Sequence, residues 1–126
     1  MITFYSAQSN RLYRRLHNRP DNIAFANINL RVGTVDRFQG MERPIVIASL
    51  VRNNKNHNIG FAKEPERINV AFSRAQELLV IIGCATLFTQ EARGYGGITS
   101  QYYKSVYDIT LREEMVIPAD KFLSQI

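Results

Sequence analysis

The chain has 126 residues, enough for one domain around one core, and its 45% hydrophobic and 21% charged content is that of an ordinary globular protein. No apolar run approaches the ~20 residues of a membrane span and no secretion leader opens the chain, so neither a membrane partner nor export is expected. A net charge of +5 favours a polyanionic partner, nucleic acid or phosphate; a single cysteine, Cys84, excludes an internal disulfide framework, and the distant His17 and His57 leave no metal-ligand spacing. The expected setting is inside the cell, in cytoplasm, nucleus or nucleoid.

In chain order, Ile2–Tyr5 reads as a short strand. Ser6 or Ser9 is placed to cap a helix over Ala7–Asn18, with Leu12 and Leu16 one turn apart and Arg11, Arg14 and Arg15 on the other side. Pro20-Asp21-Asn22 stops it. Asn27–Val32 alternates Ile28, Leu30 and Val32 with polar residues, the pattern of a half-buried strand. Val35–Met41 reads as a short helical turn led by Asp36, and the β-branched run Pro44–Leu50 as a buried central strand. Val51–Glu64 is polar and turn-rich, a long loop of the kind that carries function on a rigid scaffold. Pro65 suits a first helical turn, and Ile68, Ala71, Phe72 and Ala75 then share one buried face. Glu77–Gly83 is a second buried strand, Thr86–Glu91 the start of a helix, and Gly94–Gly97 a break. Gln101–Glu113 reads as a helix with Tyr103, Val106, Tyr107 and Leu111 on one face, and Met115–Pro118 as a last strand. Strands alternating with helices predict an α/β layered fold with a mostly parallel sheet.

The stretch that carries chemistry is Val32–Glu42, V-G-T-V-D-R-F-Q-G-M-E, a Gly/Thr turn between two strand-like runs. Such turns at the edge of a parallel sheet offer backbone N–H groups and close approach to an anion. It gains weight from two further blocks, Thr3–Gln8 (T-F-Y-S-A-Q) and Gly60–Ala75 (G-F-A-K-E-P-E-R-I-N-V-A-F-S-R-A). In order and separation the three resemble the T-P-Y-x-x-Q segment, motif V and motif VI of the C-terminal RecA-like motor domain of superfamily 1 helicases, most of all the subgroup of the nonsense-mediated-decay helicase. Phe4 stands where proline is usual, and the resemblance covers roughly the first two-thirds of the chain.

That resemblance implies a RecA-like three-layer α/β domain, with residues 1–126 as one C-terminal motor lobe of a longer ATP-dependent DNA or RNA helicase. It implies Arg74 as the catalytic arginine, a planar fork that stabilises charge on a transferring phosphoryl group. Gly40, Glu42 and Arg67 join Arg74 as the nucleotide-side residues, with Glu42 accepting hydrogen bonds from the ribose. Tyr5, Gln8, Gly33, Thr34 and Arg52 fall on the single-strand side, where a hydroxyl and a backbone N–H grip phosphate without reading sequence. Asp36 and Gln39 lie between the two sets as coupling residues. The implied cofactor is ATP with Mg²⁺ and the implied partners are single-stranded DNA or RNA and an N-terminal motor domain. No G-x-x-x-x-G-K-[ST] loop and no strand-ending Asp-Glu pair occurs in the 126 residues, so the chain alone is expected to be inactive. Taken residue by residue, the same features also fit a basic α/β module that binds nucleic acid or protein without catalysis. Arg74 would then pair with Glu77, and Gly40 would be a plain turn glycine.

Overall fold

The computed structural model describes residues 1–18, 27–91 and 98–125. The elements run β1 (Ile2–Thr3), α1 (Ser6–His17), β2 (Gly33–Thr34), a 3-10 turn (Val35–Phe38), β3 (Arg43–Ser49), a second 3-10 turn (Gly60–Lys63), α2 (Pro65–Phe72), β4 (Ala75–Ile82), a π-helical turn (Leu87–Glu91), α3 (Ile98–Arg112) and α4 (Ala119–Leu123). All four strands are parallel, in the order β2-β1-β3-β4.

The register of β3 sorts the side chains onto two faces, because successive residues of a strand point opposite ways. Ile2 pairs with Ala48, and Val46 with Leu79, so these four share one face. That face meets Phe4, Val35, Phe38, Ile59, Ile68, Ala71 and Tyr103 in the main core. α2 covers it, with Pro65 at its first turn and Ile68 and Ala71 buried. α3 joins the same side through Tyr103, which donates to the Ala62 carbonyl (2.8 Å) and meets the rings of Phe72 and Phe88 edge-on at 6.1 and 4.9 Å. The other face carries Thr3 and Ser49, which pair in register. α1 packs there, and the Gln8 Nε2 donates to Ser49 Oγ at 2.7 Å. Helices on both faces of a parallel sheet make the three-layer RecA-like arrangement.

Local chemistry explains the element ends. α1 begins at an extended Tyr5, whose carbonyl accepts from Ser9 N; no serine side chain caps it. Arg14, Arg15 and His17 in its last turn favour the negative end of the helix dipole. α2 stops at Phe72 rather than running to Ala75, because the Arg74 carbonyl is taken by Arg43 N (2.9 Å) as β4 begins.

Further expectations change. Asn27–Val32 is not a strand: pairing with β1 starts at Gly33, Leu30 N turns back onto the Ile28 carbonyl, and Ile28 is exposed. β1 offers two residues, so a two-residue partner is all it orders. Met115–Pro118 is not a strand either; Glu114, in the left-handed region at φ 56°, turns the chain out of α3, and Met115 and Ile117 are exposed. Of the α3 face that carries Tyr103, Val106, Tyr107 and Leu111, Tyr103 is buried and Leu111 exposed. β3 and β4 form as expected, yet only one of their faces is covered at the β4 end. The turns placed at Pro20–Asn22 and Gly94–Gly97 lie outside the described residues.

Burial pushes the Tyr103 phenol above its ordinary value, and the nearby Tyr5 adds to the shift. The folded state therefore holds the proton more tightly than the unfolded chain, whose tyrosines ionise near pH ~10. This contribution to stability is complete below that pH and is lost as pH rises above it. Tyr103→Phe is expected to cost about 1 kcal/mol in a urea titration at pH 7 and to flatten the alkaline loss of stability that sets in above pH ~10; an unchanged alkaline profile would show that another group governs it.

Candidate functional site

The residues singled out in the sequence gather at two corners of the sheet. The first lies at the C-terminal ends of β1, β2 and β3, where open parallel sheets bind ligands. Tyr5 is its centre. The Tyr5 hydroxyl accepts from Arg52 Nε (2.9 Å) and from Phe61 N (3.1 Å) and donates to the Ile59 carbonyl (3.3 Å). The Arg52 guanidinium also stacks over the Tyr5 ring, 4.7 Å from its centroid. The loop that brings Arg52 and Phe61 there is internally braced. Asn54 bonds Asn58 in both directions, at 2.7 and 3.1 Å, and Asn58 Oδ1 accepts from Gly60 N at 2.7 Å. Gly60 has a φ of 57°, and a Cβ on it would lie 1.9 Å from the Tyr5 hydroxyl oxygen.

Gln8 and Gly33 sit at this corner with their polar groups already engaged. The Gln8 amide is turned onto Ser49, leaving its Oε1 buried without a partner. The Gly33 N–H, expected to be free for phosphate, donates to the Met1 carbonyl (3.1 Å) in the sheet. A Cβ at 33 would press on the Phe38 ring at 3.1 Å, so this glycine serves packing. Thr34, half-buried, ends β2 beside them.

The second corner lies at the N-terminal ends of β3 and β4. Glu42 precedes β3, and its Oε2 accepts from Gln76 Nε2 of β4 at 3.2 Å. Arg74 precedes β4; its carbonyl accepts from Arg43 N, the residue after Glu42. The Arg74 guanidinium donates from Nε to the Val70 carbonyl (3.1 Å) and from Nη2 to Ser73 Oγ (2.8 Å), and it is partly exposed. These bonds turn it back along the end of α2, not onto Glu77. The carboxylate at 42 and the guanidinium at 74 thus share one corner. Gly40 is in the left-handed region (φ 76°) with nothing within 4 Å of a Cβ, so backbone conformation rather than crowding selects it. Gln39 is exposed at the end of the 3-10 turn.

Arg67 stands between the corners. Its Nε meets Asp36 Oδ1 at 3.3 Å and Glu64 Oε2 at 3.2 Å, and its guanidinium lies 5.0 Å from the Phe61 centroid. The Asp36 pair holds the start of α2 against the turn after β2. All of these acids are at least partly exposed, so the pairs orient side chains more than they stabilise the fold. Phe61 and Gln76 are the residues that sequence reasoning missed. Phe61 stood inside a quoted block, but nothing in its spacing told an exposed ring from a core one. Among the described residues no group of three His, Cys, Asp or Glu is placed to hold a metal ion, and no helix is long and apolar enough to cross a membrane.

Residues 1–86 match the AAA domain family. The chain belongs to that family. It is 37% identical over 114 residues to the putative helicase mov-10-B.1 of Danio rerio, covering 75% of this chain and 10% of that protein. It is 40% identical over 83 residues to the DNA polymerase alpha-associated DNA helicase A of Saccharomyces cerevisiae, 66% of this chain and 11% of that one. The regulator of nonsense transcripts 1 homolog of Neurospora crassa is 39% identical over 83 residues, 66% and 8% of the two chains. This AAA-domain chain is therefore a helicase-related α/β domain, and it spans about a tenth of the length of these curated relatives.

The two left-handed glycines give a local test. In urea titrations, Gly40→Ala is expected to cost about 1 kcal/mol, the backbone term alone. Gly60→Ala adds the clash with Tyr5 and should cost at least about 2 kcal/mol. Equal costs would mean that the Tyr5–Gly60 approach does not constrain the loop.

Proposed function

We propose that these 126 residues act as the second RecA-like lobe of an ATP-driven superfamily 1 helicase working on single-stranded DNA or RNA. The observation that carries this is the convergence of Glu42 and Arg74 on one sheet corner, joined through Gln76 and the Arg43–Arg74 backbone bond. A domain that only gripped nucleic acid would have no use for that pair.

ATP with Mg²⁺ supplies the phosphoryl group and the metal that offsets its charge. The residues present fit one side of such a ligand. Glu42 is an acceptor for sugar hydroxyls, Arg74 a partly exposed fork for phosphoryl oxygens, and Gly40 a backbone turn beside them. They do not fit the metal or the phosphate loop, which another lobe must bring. Freed from Val70 and Ser73, the Arg74 fork would hold phosphoryl oxygens and offset the charge that develops on them. At the opposite corner Thr34 and Arg52 hold the strand backbone, with Tyr5 setting the Arg52 guanidinium in place. Arg67, held by Asp36 and Glu64, braces the two stretches and stands as the further nucleotide-side cation.

In the full-length enzyme, Arg74→Ala is expected to lower ATP turnover by about 10³-fold or more while nucleotide binding, measured with a fluorescent analogue, changes little. Turnover near wild type would remove Arg74 from the active site and sink the reading. Thr34→Ala is expected to weaken single-strand affinity roughly five-fold by fluorescence anisotropy, one lost hydrogen bond, with the melting curve unchanged; equal affinity at every salt concentration would place the strand elsewhere.

A further inference from the structure

The positive charge of the chain is gathered at one end. Residues 1–35 hold five arginines, no lysine and a single acid, Asp21, whereas residues 36–126 hold 11 cations against 10 acids. The excess therefore sits in the segment that carries β1, α1 and β2, and α1 itself has no acidic residue. Segregation of this kind is the electrostatic footprint of a polyanion site.

Three of those arginines share one side of α1. At 3.6 residues per turn, Arg11, Arg14 and Arg15 fall within one outward sector of roughly 100°, opposite the buried Ser9 and the half-buried Leu16. All three are exposed, and their guanidinium groups have no hydrogen-bond or ion-pair partner among the described residues. The helix dipole favours Arg14 and Arg15 in the last turn, but not Arg11. Arg11 stands one turn before Arg15, where a like charge weakens the helix. Folding gives no reason for that pair. Tyr13 lies beside the strip, 52% exposed and stacked on His17 with centroids 3.9 Å apart. Planar forks next to flat rings suit phosphates and bases better than an acidic peptide. α1 also starts at Tyr5, the centre of the first corner, and runs away from it. Arg15 stands ten residues on, ~15 Å along the helix, so the strip continues from the place where Thr34 and Arg52 lie.

We infer that the outer face of α1 is a second nucleic-acid surface, on which Arg11, Arg14 and Arg15 hold phosphates of the single strand that passes the corner at Tyr5. The inference rests on the single-strand reading of that corner. The strip lengthens the grip without selecting bases, because phosphates carry no sequence.

The test is fluorescence anisotropy with a labelled oligothymidylate across a salt series, on the 126-residue chain and on its triple variant Arg11→Gln, Arg14→Gln, Arg15→Gln. Each lost phosphate contact removes ~0.7 from the slope of log affinity against log salt for a single strand, so the triple variant is expected to lose about 2. Between 50 and 200 mM salt the unaltered chain's affinity then falls about 20-fold further than the variant's. Replacing the same three arginines by lysine keeps the charge and is expected to keep most of the slope. Arg112→Gln with Lys121→Gln, exposed cations on α3 and α4, is the control and is expected to leave the slope unchanged. An unchanged slope in the triple glutamine variant overturns the inference. So does an equal loss per charge in the control, which would make net charge the cause. No binding by the unaltered chain at low salt overturns it too. Displacement of the oligonucleotide by polyglutamate of equal charge and concentration assigns the strip to an acidic polypeptide and also overturns it. Thr34→Ala tests the corner alone: unchanged affinity there, with the slope lost in the glutamine variant, removes the corner and keeps the strip, so the two readings fail separately.

Discussion

The pairing of β3 with β4 is the constraint on which the rest depends. It runs from Arg43 opposite Ala75 to Ser49 opposite Ile82, with one irregularity between Arg43 and Ile45. At its start it fixes Glu42, Arg74 and Gln76 beside one another. At its end it delivers the chain into the loop that carries Arg52 and Phe61 to Tyr5. β1 and β2 hold two residues each and are held in turn by what packs around them. Phe4, Val35 and Phe38 fill the core beneath those short strands, so the corner at Tyr5 depends on side-chain packing where the corner at Glu42 and Arg74 depends on backbone bonds.

Between the corners the structure uses charge and stacking in series. Arg52 stacks on Tyr5, Tyr5 leans on Phe61 at 5.6 Å, Arg67 covers Phe61, and Asp36 meets Arg67. Each contact is modest at a partly exposed site. Together they keep the loop after β3, the start of α2 and the turn after β2 in one geometry. The three Tyr5 hydroxyl bonds and the left-handed Gly60 are what make the series possible, since any larger residue at 60 would push the loop off the tyrosine.

Much of this was legible in the residues. The β-branched run before Leu50 and the i, i+3, i+4 spacing of Ile68, Ala71 and Phe72 report burial directly, and both elements formed where expected. Arg74 and Glu42 were found as a pair because the flanking motifs, not the residues themselves, are distinctive. What misled was alternation without a partner. Ile28, Leu30 and Val32 have the period of a strand, but period does not say whether a neighbouring edge exists to pair with. The same applies to Met115–Pro118. Gln76 and the engagement of the Gly33 N–H were invisible because hydrogen bonding across strands depends on register, which a single sequence does not state. The unbroken apolar runs of β3 and β4 read as buried strands, but among the described residues Ile45, Leu78, Val80 and Ile82 are exposed.

β3 also sets a length scale. Seven residues of extended chain span roughly 20 Å, and that strand is stiffened by neighbours on both sides. The corners at its two ends therefore stand too far apart for one small molecule to touch both.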